Sequence, residues 1–202
     1  MNTLLQSVRP ALSLFVVLTA LTGVAYPLVV TGIAQAAFPH AANGSIMTVD
    51  GQAAGSTLIG QSFTAPRYFW SRPSATGPMP NNGVASGGSN FGANNPALAD
   101  AVKGRIDALH AADPAQKKAV PIDLVTASGS GLDPDISLAA ALYQMPRIAR
   151  ARGIPEQAVQ DLIDAQARMP WLGVVGEPRV NVLALNLALD GRAAGTTMTP
   201  AR

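Results

Sequence analysis

The N-terminal fifth of the chain is almost uniformly apolar, whereas the remainder alternates short apolar runs with polar turns. No Asp, Glu, Lys or Arg lies between Arg9 and Asp50, and residues 11–37 form a nearly continuous apolar run. A helix rises about 1.5 Å per residue and the hydrocarbon layer is about 30 Å thick, so this run predicts a transmembrane helix over residues 10–36. We expect Pro27 to kink the helix where a neighbouring group can satisfy the freed carbonyl.

A cleaved signal peptide is the alternative interpretation of this run, because Ala34-Gln35-Ala36 has the small-x-small form of a cleavage site. The apolar core of a signal peptide spans about 7–15 residues, and this run is longer, so we expect the anchor to be retained. Arg9 is the only charged side chain before the run. The positive-inside rule therefore places residues 1–9 in the cytoplasm and the rest of the chain on the other side.

Beyond the membrane helix, the pattern predicts a single domain over residues 37–192. Short apolar runs between turn signals, as in residues 56–60 and 68–70, predict short strands that pair in a small sheet. Residues 72–90 are dense in Pro, Gly, Ser and Asn, and predict a long loop. Residues 193–202 show no periodicity and predict a flexible tail.

Helical periodicity and capping signals mark four segments in the second half of the chain. Ser137 is expected to cap one of them, and Pro146 to kink or restart it before Gly153. The last segment has an apolar pattern that fits a buried strand or a helix, and the Asp190-Gly191 stop favours a helix. The four segments are residues 95–111, 137–153, 155–167 and 180–189. The predicted fold class is α+β, with one N-terminal transmembrane helix followed by a single mixed α/β extracytoplasmic domain.

Composition narrows the chemistry that this domain can perform. The chain has 14 Lys and Arg against 12 Asp and Glu, which leaves no dense basic patch for nucleic acid. Cysteine is absent and only 2 His are present, so thiolate chemistry is excluded and metal binding is not expected. No Gly-Lys pair exists, which excludes a phosphate-loop NTPase motif. We therefore expect no catalytic site and no metal site in this chain.

Two charged groups are candidates for binding. Asp133 and Asp135 resemble the opening of a calcium loop, but the Gly and Glu that such a loop requires further on are missing, so a turn and capping role is favoured. Arg147, Arg150 and Arg152 form a compact basic group that could dock an acidic partner or stabilise a helix end.

Three uncharged features have a structural interpretation. The turn of residues 128–131 could present backbone N–H groups to an anion, but such a Ser-Gly turn is more often only a turn. Trp70 and Trp171 each lie next to apolar residues, and we expect both to be core anchors.

Many short segments along residues 9–190, in order, resemble the C subunit of the Kdp high-affinity potassium-transporting ATPases. One position departs from the pattern, because Asp135 stands where the family often carries His before Ile-Ser. The segments include Arg9-Pro10-Ala11-Leu12, Tyr26-Pro27-Leu28, Leu58-Ile59-Gly60-Gln61, Arg72-Pro73-Ser74-Ala75, Ser86-Gly87-Gly88-Ser89-Asn90, Asp123-Leu124-Val125-Thr126-Ala127-Ser128, Ser130-Gly131-Leu132-Asp133 and Leu185-Asn186-Leu187-Ala188-Leu189-Asp190.

The resemblance implies an accessory, non-catalytic subunit of a bacterial inner-membrane complex that imports potassium by ATP hydrolysis. The implied partners are the potassium-channel-like Kdp subunit, the P-type ATPase Kdp subunit, the small Kdp subunit as a further candidate, and membrane lipid. ATP and potassium would be handled by the complex, and this chain alone would bind no cofactor. Its implied role is assembly or stabilisation of the complex.

The resemblance also implies a catalytic chaperone that raises the ATP affinity of the pump subunit, with a glutamine that contacts the nucleotide. Gln144 is the candidate for that glutamine. The predicted topology conflicts with this contact, because ATP is cytoplasmic and only residues 1–9 are expected on that side. A membrane-tethered extracytoplasmic hydrolase is the alternative function, for which the Ser/Gly loops would have to hold a nucleophile.

Overall fold

The computed structural model describes residues 2–170, 173–194 and 199–200. The chain divides into two compact units, residues 1–45 with 200–202 and residues 46–199. The predicted fold class is confirmed, because a long apolar N-terminal helix precedes a mixed helix-and-sheet domain. Trp171 and most of the predicted tail lie outside the described residues.

The first unit is dominated by an uninterrupted helix. Its two α-helical parts, α1 (Asn2–Ala20) and α2 (Tyr26–Ala37), are joined by a π-helical segment, Leu21–Ala25, in which the N–H of Tyr26 donates to Leu21 O. The irregularity lies directly before Pro27, whose ring lacks an N–H and would clash with the carbonyl four residues earlier. A wider turn accommodates the proline, so the irregularity expected at Pro27 takes the form of a π-helical turn.

The most apolar 18-residue window within Gln6–Ala37 has a mean hydropathy of 2.1, and none of its residues is buried within the structure. Among the described residues this is the one helix that is long and apolar enough to cross a membrane. A short helix, α3 (Pro39–Ala42), follows it.

The strands within the described residues form two small three-stranded sheets. The first has the strand order β2-β1-β6, with β1 (Ile46–Val49), β2 (Gln52–Ser56) and β6 (Thr199–Pro200). The second has the order β3-β5-β4. Its strands are β3 (Asp135–Ser137), β4 (Ala167–Arg168) and β5 (Arg179–Asn181), with Asp135 opposite Asn181 and Ala167 opposite Val180.

Four helices complete the second unit in the part of the chain that the structure describes, and all four match predicted segments. They are α4 (Pro96–Ala112), α5 (Leu138–Arg152), α6 (Glu156–Gln166) and α7 (Val182–Ala194), with a 3₁₀ turn at Ile122–Leu124. Local caps set their boundaries: Asn95 Oδ1 accepts from Ala97 N at 2.9 Å, and Ser137 Oγ accepts from Ala140 N at 3.0 Å. The N-terminal caps inferred from sequence are thus confirmed.

Two details of the helix predictions are wrong. The helix does not restart at Pro146, because α5 runs unbroken to Arg152 and ends at Gly153 with φ +65°. A proline inside a helix costs about 3 kcal/mol, and here the buried face of α5 overrides that local preference. The segment 180–189 is not helical from its start, because Val180 and Asn181 belong to β5.

The core of the domain lies where α5, α6 and α7 pack with the second sheet. Burying side chains of this kind contributes roughly 1.5–3 kcal/mol each. The largest apolar side chains that are at most 2% exposed are Phe69, Ile136, Ile148, Val159, Ile163, Val180, Val182, Leu185 and Leu189.

The residues between β2 and α4 form no helix or strand. The predicted loop at residues 72–90 is therefore confirmed. Of the two predicted strands, that at residues 56–60 keeps only Ser56, the last residue of β2, and that at residues 68–70 is not formed. Phe69, in the middle of the second of these segments, is nonetheless fully buried.

Candidate functional site

Phe69 and Trp70, directly after the turn of residues 65–68, are held by side-chain amides rather than by a neighbouring strand. Phe69 N donates to Asn186 Oδ1 at 2.8 Å, and Asn186 Nδ2 donates back to Phe69 O at 3.0 Å. Trp70 N donates to Gln144 Oε1 at 2.8 Å, and Gln144 Nε2 donates to Trp70 O at 3.2 Å. Each amide supplies the donor and acceptor that a paired strand would supply. A strand-like sequence is therefore buried here without forming a strand.

Gln144, the candidate for nucleotide contact, is 1% exposed on α5. Its Oε1 also accepts from Arg147 NH2 at 2.7 Å, one helical turn further on. Arg147 is 4% exposed, donates to Pro66 O and lies 4.8 Å from the centre of the Trp70 ring. Desolvation by burial lowers the pKa of Arg147 to about 10. We call Gln144, Arg147, Trp70 and Pro66 the amide–arginine cluster.

The other two arginines of the predicted basic group have different environments. The Arg152 side chain is 5% exposed, and its NH2 group donates to Asp190 Oδ1 at 2.8 Å. Tyr68 OH donates to the other oxygen of Asp190 at 2.9 Å. Burial and, as the second largest cause, this hydrogen bond raise the pKa of Tyr68 above its usual value. The Arg150 side chain is 52% exposed and forms an ion pair with Asp113. Among the three arginines of the group, Arg150 alone therefore presents an exposed side chain.

The turn of residues 128–131 fastens the long loop 72–90 to the domain. Ser74 Oγ donates to Gly131 O at 2.7 Å, and Gly87 N donates to Ser130 O at 2.9 Å. Gly131 has φ +68°, and a Cβ there would lie 2.8 Å from Gly87 O, so only glycine fits this approach. These contacts match the turn interpretation.

The acidic pair of the sequence also has partners within the chain. Asp133 Oδ1 accepts from Asp135 N at 3.0 Å, and its Oδ2 pairs with Arg72 at 2.9 Å. Asp135 pairs with Arg179 at 2.9 Å and accepts from Asn181 at 3.2 Å. The predicted turn role of Asp133 is confirmed. In the described parts of the chain, no three His, Asp or Glu side chains form a metal-binding group.

A cavity of about 210 Å³ lies between α4 and residues 62–74. Arg105 NH1 donates to Val125 O at 2.7 Å, and no carboxylate within the described residues forms an ion pair with this arginine. Burial lowers the pKa of Arg105. Arg72 NH1 reaches Asp133, while its Nε is buried, has no acceptor among the described residues and does not open into the cavity. The walls of this arginine cavity include Phe63, Trp70, Arg72, Arg105, Leu109 and Leu124.

Sequence reasoning missed this cavity. Arg105 stands three residues after Val102 and four before Leu109, which are two positions of the apolar stripe of α4. Side chains at these spacings share a helix face, and an arginine there was the available signal.

Comparison with known proteins adds one consistent result. A family model described as "KdpC: K+-transporting ATPase, c chain" matches residues 8–191. The "Potassium-transporting ATPase KdpC subunit" of Polaromonas naphthalenivorans (strain CJ2) is 66% identical over 182 residues, which are 90% of this chain and 93% of that protein. The subunit of the same name from Janthinobacterium sp. (strain Marseille) is 63% identical over 184 residues, 91% and 97% of the two chains. The subunit from Herpetosiphon aurantiacus is 59% identical over 182 residues, 90% and 94%.

Proposed function

Because the chain belongs to the KdpC family, we propose that it assembles and stabilises the transport complex without a catalytic site of its own. The family is the c chain of K+-transporting ATPases, so this chain is an accessory subunit of potassium transport. Its partners would be the potassium-channel-like Kdp subunit and the P-type ATPase Kdp subunit, with the small Kdp subunit as a further candidate. ATP and potassium would be handled by those partners.

The observation that carries this proposal is the burial of Gln144. Its side chain is 1% exposed, and both ends of its amide hydrogen-bond to the backbone of Trp70. A nucleotide could reach this amide only by opening the core around Phe69 and Trp70, which would leave buried backbone groups unpaired. Any increase in the ATP affinity of the pump would therefore act through contacts between subunits and not through Gln144.

The membrane helix supports the assembly role. Its large apolar side chains are exposed all along its length, from Leu12 at 58% to Ile33 at 61%. In a bilayer such a surface contacts lipid and the helices of partner subunits, where close packing and small residues decide the fit. From the family we infer a bacterial inner-membrane protein, and from the single charge at Arg9 we infer a cytoplasmic N-terminus and a periplasmic domain.

A helix exchange in the whole complex tests the assembly role. Residues 11–37 are replaced by an unrelated apolar helix of equal length, and Arg9 is left in place, so that the chain remains anchored. We expect much less of the partner subunits to copurify with this variant than with the natural chain. The matched variant is Gln144→Ala, for which the complex that does assemble should keep its KM for ATP. Full recovery of the complex with the exchanged helix, or a tenfold rise in KM for Gln144→Ala in a complex of unchanged stoichiometry, would overturn the proposal.

The topology has a separate test, because the chain contains no cysteine. Val84 is 98% exposed and Gln6 is also exposed. The test uses a thiol reagent that crosses the outer membrane but not the inner membrane. In intact cells it should label the Val84→Cys variant, and it should label Gln6→Cys only after the inner membrane is opened. The reverse pattern would contradict the proposed orientation.

A further inference from the structure

We propose that the arginine cavity is a binding site for a small organic carboxylate with an apolar body. The proposal rests on the charge of Arg105, its N–H groups beyond the one bound to Val125 O, and the size of the cavity between α4 and residues 62–74. It does not depend on the role of the chain in assembly.

The charges of the two arginines are unequal. Arg72 is neutralised by Asp133 at 2.9 Å. Arg105 is partly buried, and its one hydrogen-bonded partner in the described structure is the neutral carbonyl of Val125. The cavity therefore carries one uncompensated positive charge, which matches a monoanion better than a phosphate with up to two charges.

The N–H groups of Arg105 favour an oxygen ligand. Arg105 uses NH1 on Val125 O, which leaves its other N–H groups for a ligand. A carboxylate offers two coplanar oxygens, the geometry that a guanidinium group binds with two parallel hydrogen bonds.

The size and the walls favour a ligand with an apolar part. An apolar cavity of about 150 Å³ admits benzene, and this cavity has about 210 Å³. Phe63, Trp70, Leu109 and Leu124 supply apolar wall surface around the two arginines. A flat or branched organic acid would contact these side chains while its carboxylate pairs with Arg105. Benzoate combines both features and is the probe of choice.

The test uses the full chain in detergent micelles, with nitrogen-15 in its arginines. Titration with sodium benzoate should shift the Nε–H resonances of Arg72 and Arg105 with saturation at a single affinity. Sodium chloride at equal ionic strength should leave both resonances unmoved, and inorganic phosphate should bind at least tenfold more weakly. Absence of a saturable shift overturns the proposal, and phosphate binding as tight as benzoate binding overturns the ligand class.

Variants show whether the guanidinium group is responsible. Arg105→Gln should weaken benzoate binding at least tenfold, which is about 1.4 kcal/mol. Lys103→Gln removes an exposed cation two residues away on the same helix and should leave the affinity unchanged. Arg105→Lys keeps the charge but not the planar guanidinium group, so its affinity for benzoate should lie between those of Arg105→Gln and the natural chain. This variant takes the place of Arg105→Gln in the test if Arg105→Gln does not fold. Equal affinity for Arg105→Gln and the natural chain would overturn the proposal.

Discussion

Trp70 borders both the amide–arginine cluster and the arginine cavity, and each of these regions contains a partly or fully buried arginine. The two regions differ in how their polar groups are paired. In the amide–arginine cluster, both terminal nitrogens of Arg147 donate to oxygens, and the amide of Gln144 pairs at both ends. At the arginine cavity, Arg105 has one hydrogen-bonded partner within the described parts of the chain, the carbonyl of Val125.

The difference separates a folding role from a binding role. Buried polar groups in native proteins are almost always hydrogen-bonded, so a fully paired cluster needs no ligand to explain it. Removing one member of such a cluster leaves its partners unpaired in a medium where that is costly. An arginine at a cavity with one neutral partner has the opposite character, because its removal takes little from the fold and a further partner can come from outside.

The largest effect is expected from Gln144→Leu. The substitution leaves the buried N–H and C=O of Trp70 without partners and removes an acceptor from Arg147. At about 1–3 kcal/mol for each unpaired group, we expect a loss of about 4 kcal/mol in the free energy of unfolding. Urea denaturation of the full chain in micelles, followed by tryptophan fluorescence, measures it. Gln157→Leu, on the exposed face of α6, is the matched control and should change stability by less than about 0.5 kcal/mol.

Arg147→Met should have the next largest effect. It removes the hydrogen bonds to Pro66 O and Gln144 Oε1 and the contact with the Trp70 ring, for an expected loss of about 2–3 kcal/mol. Arg147→Lys should restore less than half of this, because one ammonium group cannot reproduce the planar fork. The same urea experiment on both variants decides the matter. Complete rescue by lysine would mean that charge alone, and not the paired geometry, matters at this position.

The local and the non-local parts of the structure were unequally predictable from the sequence. Helix boundaries followed from single residues, such as Asn95, Ser137 and Gly153, because a cap acts within one turn of its helix. The segment 68–70 was misassigned as a strand because its backbone partners are side chains 117 and 74 positions away, from Asn186 and Gln144.

The candidate site was less predictable than the fold. The basic group of Arg147, Arg150 and Arg152 attracted attention because its members are close in sequence, yet two of the three are buried against the chain itself. Arg72 and Arg105 come from different segments, and only the packing of α4 against the long loop region brings them to one cavity. No local pattern contains that information.

Tyr68→Phe should have a smaller effect that depends on pH. The lost hydrogen bond to Asp190, a carboxylate that is 40% exposed, is expected to contribute about 1 kcal/mol at pH 7. Because the pKa of Tyr68 is raised above 10.0 in the folded protein, this stability is fully present below pH 10 and is lost as the pH rises through the raised value. The difference in unfolding free energy between the natural chain and the variant, measured from pH 7 upwards, should therefore shrink above pH 10. Arg147 and Tyr143 occur in both proteins, so their titration cancels. A difference that grows with pH would contradict the assignment.

Arg105→Gln is expected to have the smallest effect on the fold, and it places the two regions in direct contrast. The substitution removes one hydrogen bond to Val125 O, which contributes about 1 kcal/mol, and also removes a charge from surroundings that disfavour it. The two changes oppose each other, so the free energy of unfolding without ligand should differ from that of the natural chain by less than about 0.5 kcal/mol. With benzoate at about 100 times its dissociation constant, the natural chain should gain about 2.7 kcal/mol while the variant gains much less. Urea denaturation with and without benzoate measures both quantities. A loss above about 2 kcal/mol without ligand would assign Arg105 to the fold, as Arg147 is, and would remove the distinction between the cluster and the cavity.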